Sequence, residues 1–140
     1  MCQIVIDTNI LVAAMRSDRG ASYRLLSQLG SPRWRPNLTV AVLLEYEAIL
    51  KRGCQDFNLT EDDIDMFLDG ICSESGLHRS YFTWRPVAND PDDDLVLEAA
   101  ISSRSDFIVT FNKRDFTDSG KFGIQCLTPK EFLILVEELP

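Results

Sequence analysis

Two short aliphatic runs, Ile4-Val5-Ile6 and Phe107-Ile108-Val109-Thr110, lie near opposite ends of the chain, and polar residues follow each at once. Runs this short cannot form useful helices. Branched side chains without polar alternation suit strands buried on both faces. Such strands belong to a parallel sheet covered by helices on each side. A weaker run, Ile124-Gln125-Cys126-Leu127, follows Gly123 and adds a third candidate strand. Helical patterns occupy the stretches between: Ser22 to Leu29, Thr39 to Lys51, Thr60 to Cys72, Pro91 to Ser102 and Pro129 to Leu139. The alternation of strands and helices predicts an α/β sandwich. The helix after Thr60 is the best defined. Thr60 with Asp63 matches a capping box, and Ile64, Phe67, Leu68 and Ile71 repeat at helical spacing. Between Gly76 and Val87 the pattern is ambiguous, with a strand signal at Tyr81-Phe82-Thr83-Trp84.

The chain has 140 residues and is 45% hydrophobic, enough for one domain with a core and too short for two ordinary ones. No apolar run approaches the roughly 18 to 20 residues that span a bilayer, and Met1-Cys2-Gln3 lacks the start of a signal peptide. The expectation is a cytoplasmic protein without a membrane partner. Cys2, Cys54, Cys72 and Cys126 have no CxxC spacing, so they read as small reduced core residues. The net charge of −8 argues against gripping long nucleic acid by charge alone. Yet residues 1–52 carry seven Lys and Arg against four Asp and Glu, while residues 53–140 carry seven against eighteen. One half could face a polyanion, although the same charges would also serve simply to solvate a surface.

Four places along the chain offer carboxylates. Asp7 follows the first strand, where ligands bind in open parallel sheets; it reads equally as a ligand and as the cap of a helix beginning near Ile10. The helix from Thr39 is apolar nearly all round and holds Glu45 and Glu47. Lys51 accounts for Glu47 at i,i+4, whereas Glu45 lies among Val42, Tyr46 and Ile49 and needs another counter-charge. In Asn89-Asp90-Pro91-Asp92-Asp93-Asp94, Asp90 reads as an N-cap with Pro91 at the first helical position. Asp93 shares a face with Val96, Leu97 and Ala100, which directs it to the sheet. Finally, Thr110-Phe111-Asn112-Lys113-Arg114-Asp115-Phe116 follows the second strong strand as Asp7-Thr8-Asn9 follows the first. Asp115 completes a site there or pairs with a neighbouring cation at the surface. Carboxylates gathered in one cleft repel one another unless a cation neutralises them. Oxygen donors without Cys or His spacing select a hard ion, Mg²⁺ or Mn²⁺, which can activate water for phosphodiester hydrolysis.

With these residues placed, the chain resembles the PIN domain, specifically the small prokaryotic branch that includes VapC-like toxins. The matching pieces are Val5 to Leu11, Leu43 to Leu50, Asp90 to Asp94 running into Leu97 to Ala100, Ile108 to Phe116, and Leu127 to Leu133. The resemblance implies one PIN domain over residues 1–140, a three-layer α/β/α sandwich with a parallel sheet of about five strands, and metal-dependent cleavage of RNA. Its acids fall on Asp7, Glu45 and Asp93. Where many members carry a fourth Asp this chain has Asn112, so the role passes to Asp115. Thr8, Asn9, Asp90, Thr110 and Asn112 are expected to support the site, and Arg16, Lys113 and Arg114 to meet substrate. The resemblance also implies a homodimer and a small antitoxin partner with a basic side chain for the acidic cleft.

Other readings fare less well. A PIN-like module that binds nucleic acid or a partner without cleavage would have Asn112 as its mark. An aspartate-nucleophile phosphatase needs an acid two residues after Asp7, where Asn9 stands, and a receiver domain needs an acidic pair beside Asp7 and a mid-chain strand-end Asp. Ser or Cys hydrolase chemistry would depend on His78, the only histidine.

Overall fold

The structure is a computed structural model that describes residues 1–79 and 91–138, with side chains of α5 described from Leu95 onward. Five strands, β1 (Cys2–Ile6), β2 (Trp34–Leu38), β3 (Gly76–Leu77), β4 (Phe107–Val109) and β5 (Gln125–Leu127), form one parallel sheet in the order β3-β2-β1-β4-β5. Among the described residues six α-helices accompany it: α1 (Thr8–Arg16), α2 (Ala21–Leu26), α3 (Val40–Gly53), α4 (Glu61–Ser73), α5 (Pro91–Ser102) and α6 (Pro129–Glu137). The expected α/β sandwich with a five-stranded parallel sheet is what the chain forms.

β1 is central. Ile4, Val5 and Ile6 are at most 1% exposed because helices cover both faces of the sheet. Their registers, Ile4 opposite Pro36 and Ile6 opposite Val109, align the carboxyl ends of β1 and β4. The chain leaves β1 toward β2 on one side, and β4 pairs on the other. The crevice between β1 and β4 is therefore the switch point at which parallel sheets bind ligands.

The sequence reading passes over β2, whose Trp-Arg-Pro-Asn-Leu composition lacks an aliphatic run. Pro36 is tolerated for a geometric reason. The Leu38 carbonyl accepts from the His78 N–H, so Leu38 and, by alternation, Pro36 turn their backbone groups toward β3. That two-residue strand begins opposite Asn37, so the N–H that proline lacks has no ladder partner to lose. Asn37 does more for β2. Its amide donates to the Gln3 side chain at 3.0 Å, the Ile4 carbonyl at 3.3 Å and Ser105 Oγ at 3.3 Å, while its Oδ1 meets His78 Nε2 at 2.9 Å.

The helix boundaries differ from expectation mainly at α1 and α2. α1 starts at Thr8, not near Ile10, and α2 ends at Leu26, with Gly30 at φ +91 in the turn beyond. The Thr60–Asp63 capping box forms as the spacing requires, and Thr128 with Glu131 forms a second at α6. Lys51 pairs with Glu47 at 3.3 Å and also reaches Asp65 at 2.8 Å, tying α3 to α4. All four cysteines are free thiols. Among the described residues no helix is long and apolar enough to cross a membrane. The strand expected at Tyr81–Trp84 lies outside the described residues.

Candidate functional site

Asp7 leaves β1 with its N–H bonded to the Val109 carbonyl at 2.9 Å. It occupies the N-cap position of α1 but makes no side-chain cap hydrogen bond. Its carboxylate instead accepts from Thr110 Oγ1 at 2.7 Å. The first residue beyond β4 thus holds the first residue beyond β1. Thr110 is fully buried and Asp7 only 7% exposed. Thr110 Oγ1 also accepts the Asn112 N–H at 2.9 Å, and the Asn112 carbonyl accepts the Asp115 N–H at 3.0 Å. This chain of bonds folds residues 110–115 back over the crevice, and the buried Phe116 anchors their end.

Glu45 enters from α3. Thr8 Oγ1 donates to its Oε2 at 3.2 Å, joining the first turn of α1 to the second turn of α3. The next residue, Tyr46, is fully buried and donates its hydroxyl to the Ile6 carbonyl at the end of β1. Nothing in the spacing of α3 marked Tyr46 as more than core. An apolar helix face interrupted by one phenol beside an acid was the available signal.

Electrostatic interactions link these groups pairwise. Burial pushes the Asp7 carboxyl above the usual range, and the charge of Asp115 adds to that rise, against the hydrogen bond from Thr110 and a contact with the Thr8 amide. Burial raises the Tyr46 phenol well above its ordinary value, with the charges of Asp7 and Glu45 acting in the same direction. Cys126 on β5 is raised first by burial and also feels Asp7.

The remaining expected residues fall as follows. Asp93 lies in the first turn of α5, which packs on β1, β4 and the turn at Lys113–Phe116. α5 leads into β4 and runs against it, so that first turn sits toward the carboxyl ends of the strands. The side chain of Asp93, and Asp90 altogether, lie outside the described residues. Asn9 is in the first turn of α1, and its Oδ1 is a buried acceptor with no partner among the described residues. Asn112 is exposed and contributes backbone to the loop. Lys113 is engaged by Glu131 Oε1 at 2.5 Å. That contact, with the Thr128 amide, holds the Glu131 carboxyl down at about 2. Arg114 lies exposed in the same turn. Arg16 stands at the opposite end of α1 from Asp7, its guanidinium 6.0 Å from the centre of the Phe57 ring.

The donors that meet here are oxygens, which suit a hard divalent cation. Among the described residues, however, no group of three or more Asp, Glu, His or Cys is gathered closely enough to hold an ion. The chemistry of the donors fits Mg²⁺ or Mn²⁺, while these residues by themselves do not complete a ligand set. His78 takes no part: because the Asn37 amide nitrogen is spent on three acceptors, Oδ1 accepts, and Nε2 carries the proton.

A sequence profile of the PIN domain matches residues 3–114, and the chain belongs to the PIN-domain family. Two solved structures share the fold. One is VapBC2 from Rickettsia felis bound to a DNA fragment from their promoter, with TM-score 0.59 and 15% identity over 89% of this chain and 98% of the other. The second is VapBC-1 from nontypeable Haemophilus influenzae, with TM-score 0.56 and 16% identity over 91% and 98%. No curated protein sequence matches significantly.

Proposed function

We propose that the chain, as a single PIN domain over residues 1–140, is a divalent-metal-dependent endoribonuclease and the VapC-like toxin component of a toxin–antitoxin pair. The observation that carries this reading is the meeting of Asp7 and Thr110 across the β1/β4 crevice at 2.7 Å, with the charge of Asp115 acting on Asp7 and Glu45 held by Thr8, the residue after Asp7. A buried carboxylate that resists ionisation at a sheet switch point, as Asp7 is, suits metal-assisted hydrolysis. Asp7, Glu45, Asp93 and Asp115 would hold the ion. Bound Mg²⁺ or Mn²⁺ supplies charge neutralisation and an acidified water for attack on phosphorus.

The residues around the acids have separate tasks. Thr110 fixes one Asp7 oxygen and Thr8 one Glu45 oxygen, so both carboxylates are oriented before anything binds. Lys113 and Arg114 would meet the phosphodiester backbone, with Glu131 competing against phosphate for Lys113. Arg16, at the far end of α1, would meet only a substrate long enough to extend past Phe57. The family likeness to VapBC structures supports a small antitoxin as partner, and a homodimer is part of the same proposal.

The test is cleavage of single-stranded RNA by purified protein with Mn²⁺ or Mg²⁺, inhibition by EDTA, and loss of activity in Asp93→Asn at an unchanged melting temperature. RNA binding that ignores metal and survives Asp93→Asn, with no cleavage across a broad panel of RNAs, would select a non-catalytic binding module.

A further inference from the structure

Phe111 is 49% exposed although it sits between the fully buried Thr110 and the pinned amide of Asn112. Thr110 turns inward to Asp7, and Phe111, in the bend just beyond β4, turns out. The position is also rigid. The Thr110 N–H bonds the Leu127 carbonyl, Thr110 Oγ1 receives the Asn112 N–H, and Asp115 closes the turn. An exposed aromatic ring on a loop held this firmly gains nothing for the core. It lines a cleft of about 430 Å³ together with Asn112, Lys113, Arg114, Asp115 and Thr128.

That lining combines an aromatic face, two cationic side chains and an acid that acts electrostatically on Asp7. A nucleotide presents the complementary set: a base with a π-face, and phosphates that accept from Lys and Arg. We propose that Phe111 is the stacking platform for one unpaired base of the RNA, next to the phosphodiester to be cut. The inference rests on the ribonuclease reading and adds to it that the substrate is unpaired at this nucleotide. A duplex keeps its bases stacked on each other, so it cannot offer a face to Phe111. Stacking accepts any base, so Phe111 contributes affinity and positioning, while sequence preference has to come from elsewhere. Because the ring touches the base and not the reacting atoms, Phe111 is a positioning residue.

The experiment measures binding and cleavage of a short 5′-labelled single-stranded RNA by wild type, Phe111→Ala, Phe111→Leu and Phe111→Trp. Binding is followed by anisotropy in EDTA and cleavage in Mn²⁺. Phe111→Leu should keep the apolar bulk yet bind roughly tenfold more weakly, as Phe111→Ala does, while Phe111→Trp restores wild-type affinity, a pattern set by the worth of one base stack. An oligonucleotide with an abasic position beside the cut should erase the difference between wild type and Phe111→Ala. A melting-temperature check confirms that each variant is folded, which the exposure of the ring favours. If wild type binds and cuts RNA and Phe111→Leu equals it, the stacking role is overturned and the ribonuclease reading stands. If wild type neither binds nor cuts any RNA tested, both fall together. Loss of affinity for a small basic protein with RNA affinity unchanged would assign the ring to a protein partner and overturn the base.

Discussion

Replacing Thr110 by valine keeps the shape of the side chain and removes its hydroxyl. Two bonds go with it, the 2.7 Å donation to Asp7 and the 2.9 Å acceptance from the Asn112 N–H. A hydrogen bond to a charged partner contributes about 1.5–3 kcal/mol, and the second loss costs less because exposed Asn112 lets water reach its amide. The sum is about 2–3 kcal/mol. For 140 residues the unfolding entropy is about 0.3 kcal/mol per degree, so the melting temperature should fall by about 7–10 °C near neutral pH in EDTA. The penalty should also depend on pH. Asp7 already has a folded-state pKa above its unfolded value, so the metal-free fold loses stability as pH rises through that folded pKa. Without the Thr110 bond, which favours the charged form, the carboxyl moves further up and the loss deepens. Calorimetry at about pH 4.5 and about pH 7.5 should therefore show a smaller Thr110→Val penalty at the lower pH, with Thr110→Ser close to wild type at both. An equal penalty at the two pH values, or a shift under about 2 °C at neutral pH, would refute the claim that this hydroxyl supports a buried charge.

Two further outcomes follow from the same groups. Asp7→Asn keeps an acceptor for Thr110 and removes the buried charge, so in EDTA it should melt a few degrees above wild type at neutral pH and show no stabilisation by Mg²⁺ or Mn²⁺; a metal response equal to wild type would show that Asp7 is no ligand. Glu131→Gln keeps the N-terminal turn of α6 but releases Lys113, so it should lose less than about 1 kcal/mol, the pair being substantially exposed, and should bind single-stranded RNA severalfold more tightly. Since Glu131 is held at about 2 against its ordinary 4.5, its contribution is present above 4.5 and disappears as pH falls toward 2, so titration of the mutant and wild type should converge there.

The central strands were legible because Ile4, Val5 and Ile6 of β1 and Ile108 and Val109 of β4 are buried on both faces and form runs with no polar residue to confuse the period. β2 was not, because its burial depends on neighbours: Pro36 is allowed only where β3 is short, and Asn37 is buried at 2% exposure because Gln3, Ser105 and His78 satisfy it. No local pattern contains those partners. The same limit applied to Asp7, whose two readings were ligand and helix cap. It holds the cap position without a cap bond, because a hydroxyl 103 residues away takes its carboxylate. Glu45 stood out from Glu47 in the sequence by lacking a cation at i+4, and the structure gives it a hydroxyl from Thr8. The pairing of Lys113 was not legible locally, because its partner Glu131 lies on the last helix.

The compensation around Asp7 decides what the site is suited to do. α1 and α3 both begin at the carboxyl ends of strands, so their amino-terminal dipoles face the acids. Thr110 and Thr8 add donors. Even so, burial and Asp115 outweigh these contributions, and the Asp7 carboxyl remains harder to ionise than a free one. A purely structural carboxylate would be expected to end up more easily ionised than a free one, as Asp63 does in its capping box on α4, where the Thr60 amide and hydroxyl bring its pKa down. The contrast between two helix-start aspartates in one chain separates a cap from a group kept at a cost to the empty fold. Protonation of Asp7 relieves that cost at low pH, and on the proposed reading a cation in the crevice would relieve it at neutral pH. The stability gained by Asp7→Asn and the response to cation lost by it should therefore appear in the same protein.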